Sequence, residues 1–186
     1  MRDIPKNIIE MAALGDRAAF EEIYKAFSSI IYTVAINITR NRQDAEEVTQ
    51  DVFVKIYRGL KNFKFSSSFG TWVYRIAMNA AINMHRARSR RNTLTTLIED
   101  INILPDVAQA GAKDAIERQD AKLKVAMMLE GLSTEHRSCI VLREIEGLDY
   151  KEIADVLGIP LNTVRSRLKR AREALVAMLQ KGGLSS

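Results

Sequence analysis

The sequence predicts an all-α protein made of two helical domains, and three observations carry that prediction. Apolar residues recur at three- and four-residue spacing almost throughout. Only three prolines and nine glycines punctuate the 186 residues. The periodicity fails over one long stretch, residues 92–113, which contains Pro105, Gly111 and the acids Glu99, Asp100 and Asp106. Such a stretch reads as a flexible acidic linker between a domain at 1–91 and another at 114–186.

The elements follow in order. A first helix spans about Lys6 to Leu14 and is closed by Gly15; Asp16 then caps a long second helix. On that helix Phe20, Ile23, Tyr24, Phe27, Ile31, Val34, Ala35 and Ile38 form one apolar stripe. A third helix, from about Gln43 to Leu60, turns Val48, Val52, Phe53, Ile56 and Leu60 inward and Asp44, Glu47, Gln50 and Asp51 outward. After a loop at 61–68, a fourth helix from about Phe69 to Arg90 buries Phe69, Val73, Ile76, Ala77 and Ala80. Beyond the linker, helices resume near Asp114, with Ala126, Leu129 and Leu132 facing a core, and again from Ser133 to Glu146.

The last segment, Asp149 to Leu175, has the spacing of a helix-turn-helix. Asp149 and Glu152 are placed for a capping box. Ile153, Ala154 and Leu157 form the inner face of a short helix ended by Gly158, a residue that adopts the left-handed turn conformation at little cost. Ile159 plugs the turn, and Pro160 suits the start of the next helix. There Val164, Leu168 and Leu175 face inward, while Asn162, Thr163, Arg165, Ser166, Arg167, Lys169, Arg170 and Arg172 face outward. Donors at the N-terminal end of that face suit base edges, and the cations beyond suit phosphates. Glu173 is the only acid between Pro160 and Ser186, so the face is not an ordinary mixed-charge surface.

Composition narrows the function. Lys and Arg number 28 against 23 Asp and Glu, a net charge of +5, but the signs are segregated along the chain. Cations gather at 75–91 and 165–181, acids at 44–51 and 99–120. The single cysteine, Cys139, sits among apolar neighbours and reads as core, with no disulfide framework. His85 and His136 have no carboxylate pair or second ligand at metal spacing, and no glycine-rich phosphate loop occurs. No cofactor, metal site or catalysis is expected. No apolar run reaches the roughly twenty residues of a membrane span, and the N-terminus lacks signal-peptide layout, so a cytoplasmic protein with no membrane insertion is expected.

The fourth helix carries a second nucleic-acid signature. FGTWVYRIAMNAAINMHRARSRR places aromatics first, the amides Asn79 and Asn83 one turn apart, and then Arg86, Arg88, Arg90 and Arg91. Aromatic faces stack on unpaired bases, amides bond their edges and cations track the backbone. Trp72 fits either that role or the core.

In these blocks the chain resembles the extracytoplasmic-function class of bacterial sigma factors. DAEEVTQDVFVKIYRGLKNF is similar to the family's regions 2.1 to 2.2, TWVYRIAMNAAINMHRARSRR to regions 2.3 to 2.4, and LREIEGLDYKEIADVLGIPLNTVRSRLKRARE to region 4. The resemblance implies that Asp44, Glu47, Gln50 and Asp51 dock on the β′ clamp helices of core RNA polymerase, with region 4 meeting the β flap. It implies that Trp72, Arg75, Asn79, Asn83 and Arg86, with Ser67 in the loop Lys64–Ser68, read and melt the promoter's minus-ten element, the loop holding a flipped base. Phe65 stands where the family usually has glycine, and Gly70 where a bulkier residue is usual, so no base preference carries over. Asn162, Thr163, Arg165, Ser166, Arg167, Lys169 and Arg170 would read the minus-thirty-five element, Arg165 and Arg167 foremost. The linker would thread the polymerase toward the RNA exit path. An anti-sigma partner and a monomeric free protein are the further expectations. The rival readings are an enzyme, a regulator that binds DNA only through the helix-turn-helix, and a protein-binding adaptor indifferent to salt.

Overall fold

The computed structural model describes residues 4–94 and 128–182. Within them every regular element is helical: α1 (Lys6–Ala13), α2 (Arg17–Thr39), α3 (Arg42–Gly59) with a 3₁₀ turn Leu60–Asn62, α4 (Phe69–Leu94), α5 (Thr134–Ile140) running into a π turn Val141–Ile145, α6 (Tyr150–Leu157) and α7 (Leu161–Gly182). The linker expected at 92–113 and the helix expected near Asp114 lie almost wholly outside the described residues. Where the chain is described, α4 continues three residues past the expected boundary at Arg91.

Local chemistry sets the helix ends. The Asp16 carboxylate accepts the Ala19 N–H at 2.8 Å. Asn41 does the same for Asp44 at 2.9 Å, and the Ser68 hydroxyl accepts the Thr71 N–H at 3.0 Å. Each satisfies one of the amides orphaned at a helix start. The Asp149–Glu152 capping box forms as expected, with both bonds at 2.8 Å. Gly158 closes α6 at φ +64°. Arg40 ends α2 at φ +59°, a left-handed position more often given to glycine.

Helices α2, α3 and α4 pack around Ile23, Phe27, Ile31, Val34, Val48, Val52, Ile56, Val73, Ala77 and Met78, all buried. Tyr74 and Ala81 are buried as well, whereas Ile76 and Ala80 of the expected inner face are only half-buried. Around the helix-turn-helix the core is Cys139, Ile140, Val141, Leu142, Leu148, Ile153, Val156, Val164, Leu168 and Ala171. Val156 takes a fully inward position in place of Ala154 and Leu157, which are half-buried against the same core, as is Leu175. The π turn widens the end of α5 so that the Glu146 N–H reaches the Val141 carbonyl at 3.0 Å.

The two halves touch. Arg137, on α5 and 4% exposed, has its guanidinium wrapped by backbone carbonyls: Leu129 at 2.8 Å, Leu132 at 3.0 Å, Glu130 at 3.3 Å and, from the end of α2, Ile38 at 3.2 Å. The buried residues of both halves form one continuous cluster.

Candidate nucleic-acid interface

Helix α4 presents Arg75, Asn79, Asn83 and Arg86 to solvent on its face away from the core. Spacing of three and four residues puts them on one stripe. At its start an aromatic group assembles: Trp72 lies 5.0 Å from Phe63 and 5.5 Å from Phe69, ring centre to ring centre, and Phe63 lies 4.8 Å from Phe65. Trp72 is half-buried, so the two roles open to it are both partly met. Its indole approaches Gly59 so closely that a Cβ there would stand 2.8 Å from Trp72 Cζ2. Glycine at the end of α3 is thus a packing requirement.

The loop before α4 is built around Phe65, held at φ +53°. That conformation is uncommon for any residue with a Cβ and an outlier for a bulky one; the family's usual glycine would adopt it freely. The Phe65 ring is 42% exposed, and the Lys6 ammonium sits 5.1 Å above its centre. Of the serines that follow, Ser68 is engaged in capping α4, and Ser67 donates to the Ser68 carbonyl at 3.3 Å. Turn chemistry therefore accounts for both bonds.

On α3, Glu47, Gln50 and Asp51 are exposed as expected, beside exposed Val54 and Tyr57 on the same helix and Tyr24 on α2. Asp44 departs from the expectation. It is 7% exposed, and both carboxylate oxygens accept from Arg88 Nη1 at 3.3 Å. The alternation that marks α3's outer face is read from one helix alone, and the C-terminal part of α4 covers this position with a cation that pairs it.

On the recognition helix α7, Asn162, Arg165, Ser166, Lys169 and Arg170 are exposed and Thr163 is half-buried. Arg165 donates to the Asn162 side chain at 3.2 Å and Ser166 to the Thr163 carbonyl at 3.0 Å. Arg172 is held by Glu144 at 2.7 Å, so it braces the π turn Val141–Ile145 to α7. Arg167 is the second correction. It is half-buried and turned toward the first half of the molecule, beside the buried thiol of Cys139, whose pKa burial pushes up to about 11. Arg167 stands three residues after Val164 and four before Ala171, both buried, which puts it at the edge of the inner face of α7 rather than outside it.

Arg167 lines a cleft of about 260 Å³ with Asn79, Asn83 and Arg86 of α4, Glu135 of α5 and Leu157 of α6. The Glu135 carboxyl is held below the usual carboxylate range chiefly by its own backbone N–H, then by the Ser133 hydroxyl and the nearby charges of Arg167 and Arg86. Around the cleft Tyr74 donates to Glu146 at 2.8 Å, Arg75 donates to the Asp155 carbonyl at 2.8 and 3.2 Å, and Arg40 pairs with Glu130 at 3.3 Å. Sequence periodicity carries no sign of these contacts, because each joins residues far apart in the chain.

No described helix is long and apolar enough to cross a membrane. Among the described residues no group of three or more His, Cys, Asp or Glu side chains converges as a metal site would require.

Comparison with known proteins bears directly on this arrangement. Residues 23–91 match the family model for sigma-70 region 2, and residues 122–175 match the model for sigma-70 region 4. The RNA polymerase sigma-H factor of Pseudomonas aeruginosa is 35% identical over 182 residues, covering 94% of this chain and 93% of that protein. The ECF RNA polymerase sigma-E factor of Escherichia coli K12 is 33% identical over 175 residues, 90% of each. Among solved structures, CnrH in complex with the cytosolic domain of CnrY superposes with a TM-score of 0.70 at 26% identity, covering 94% of this chain and 96% of that one. The sigma factor RpoE in complex with the anti-sigma factor NepR from Bartonella quintana does so at 0.68 and 25% identity, covering 87% and 96%.

Proposed function

This chain belongs to the extracytoplasmic-function class of the sigma-70 family, and from that premise we propose that it binds core RNA polymerase, directs it to a two-part promoter and opens the minus-ten region. The observation that carries this reading is the pair of exposed, base-competent stripes on separate helices: Asn79, Asn83 and Arg86 on α4, and Asn162, Arg165, Lys169 and Arg170 on α7. One stripe follows an aromatic group suited to unpaired bases, and the other begins a helix suited to the duplex major groove.

Polymerase docking falls to Glu47, Gln50 and Asp51 with the exposed Tyr24, Val54 and Tyr57; Asp44, paired to Arg88, takes no part. Acids around an apolar patch fit a basic, partly apolar helical partner. Each DNA-reading domain alone binds weakly, and polymerase holding both at promoter spacing makes the second contact intramolecular. Unstacking costs a few kcal/mol per step. Stacking and capture of an unpaired base return about 1–3 kcal/mol each, so melting selects the minus-ten sequence. Partial exposure of Trp72 and the open ring of Phe65 support that role. Control by an anti-sigma factor is supported by the likeness to sigma factors solved in such complexes.

The test is run-off transcription with core polymerase on fragments of the source genome, with Asn79→Ala and Asp51→Ala alongside. Specific starts with the wild type, slowed opening at normal polymerase binding for Asn79→Ala, and weakened polymerase binding for Asp51→Ala are expected. A silent polymerase together with sequence-specific duplex binding by the protein alone would overturn the proposal in favour of a conventional regulator.

A further inference from the structure

We propose that Phe65 is a stacking platform for one unpaired base of the opened strand, with Lys6 of α1 at the neighbouring phosphate, so that the loop before α4 holds its base by ring contact and with little regard to sequence. This rests on the strand-opening reading above. It departs from the flipped-base pocket that the resemblance implies for the loop.

Three observations converge on the Phe65 ring. Its backbone is held at φ +53°, a conformation that strains a bulky residue, and such outliers gather at functional sites. Glycine would take it freely, so the path of the loop gives no reason for an aromatic ring here. The ring also contributes little to the core. It is 42% exposed and lies 4.8 Å from Phe63, which lies 5.0 Å from Trp72, so it is the outer end of an aromatic row leading to the α4 stripe. Over it stands the Lys6 ammonium at 5.1 Å, on a side chain that is itself 68% exposed; that face of the ring therefore opens to solvent. Finally, no acid occurs between Asp51 and Glu99, and Lys61 and Lys64 are exposed just before the ring. Cations beside an open aromatic face are the parts from which single-strand binding is built.

The polar groups of the loop that could read a base edge are already engaged. The Ser67 hydroxyl donates to the Ser68 carbonyl, and the Ser68 oxygen accepts the Thr71 N–H. What the loop offers is a π face, and every base has one of its own, so the contact tolerates sequence. A base settling on the ring displaces the Lys6 ammonium, whose long stem can carry it to the phosphate of the same nucleotide. Its exposed pairing with Glu10 at 3.4 Å holds it only weakly. Lys6 lies outside residues 23–91, which match the region 2 model, so α1 joins the nucleic-acid surface.

The test uses the full chain without polymerase, with fluorescence anisotropy of labelled oligothymidylate, oligoadenylate and a short duplex at low salt. Phe65→Leu keeps an apolar side chain under the same backbone constraint but has no π face, whereas Phe65→Tyr keeps the ring. Phe65→Leu should bind both oligonucleotides about tenfold more weakly, and Phe65→Tyr should stay within about twofold of the wild type. Duplex binding should not change in either, and Tm should stay within about 2 °C, which separates stacking from packing. Lys6→Gln should make the log–log salt dependence of oligothymidylate binding shallower by about 0.7, the share of one single-strand phosphate contact; an unchanged slope would overturn the part given to Lys6. No binding of the wild type to either oligonucleotide, equal losses in the Leu and Tyr variants, a loss confined to one base, or an equal loss on the duplex would overturn the platform. In run-off transcription with core polymerase, Phe65→Leu should open promoters about tenfold more slowly. Specific starts from the wild type with oligonucleotide binding indifferent to Phe65→Leu would sink the platform alone, whereas ring-dependent oligonucleotide binding with no starts from any protein would sink the strand-opening reading alone.

Discussion

Arg137→Met tests whether the joint between the two halves is held by one buried guanidinium. The side chain donates to four carbonyls, at 2.8, 3.0, 3.2 and 3.3 Å, and among the described residues no buried carboxylate bonds it. Burial and the adjacent charge of Arg40 lower the Arg137 pKa, and Glu130 offsets this only in part. Hydrogen bonds to a charged group contribute about 1.5–3 kcal/mol each, so the two shortest, to Leu129 and Leu132 of its own half, are worth about 3–6 kcal/mol, while the Ile38 bond is the one of the four that crosses to the first half. Met retains the stem and relieves the desolvation cost of the charge, leaving a net loss of about 3 kcal/mol. For a chain of this length that corresponds to a fall in Tm of about 6–12 °C. The assay is thermal unfolding by circular dichroism of wild type and variant at pH 7.5. A drop below about 2 °C would refute the view that these bonds anchor α5 to the segment before it and to the end of α2, and would leave apolar packing as the source of that order.

Gly59→Ala should cost about 1–3 kcal/mol, because the new methyl meets the Trp72 indole at 2.8 Å; Trp72 is the sole tryptophan, so its emission should shift at the same time. Asp149→Ala removes the carboxylate that accepts the Glu152 N–H while leaving the backbone N–H that donates to Glu152, and should lower stability by about 1 kcal/mol in denaturant titration. His85 has its pKa lowered by burial first and then by Arg137, with Arg40 adding to this and the Thr39 backbone and Asp44 opposing it. The unfolded chain therefore binds the proton more readily, and stability should fall as pH drops below about 6.5; His85→Gln should flatten the His85 part of that slope in melts at pH 7.5 and 5.5.

The helices and their ends could be read from sequence because their causes are local. Asp16, Asp149 with Glu152, and Gly158 act within four residues of where they stand, and a one-dimensional pattern records that range completely. The exposed stripes of α4 and the outer face of α7 followed from the same periodicity, as did the buried Cys139. Asp44 and Arg167 did not, since each is turned by something distant in sequence: Arg88 on another helix for one, the opposing first domain for the other. Arg137 was invisible for the same reason. A cation between His136 and Ser138 looks like any other in a polar run, and the carbonyls it gathers belong to backbone, which every sequence supplies alike.

That last property bears on exchange between relatives. The first half contributes to the Arg137 joint only the carbonyl of Ile38, a group present whatever side chain occupies the position. Transplanting a foreign first half onto this second half should preserve the joint provided α2 ends at the same point, while the reciprocal graft needs a guanidinium at position 137. At the Arg137 joint the two modules are thus unequal as spare parts, one constrained in its backbone path and the other in a single residue.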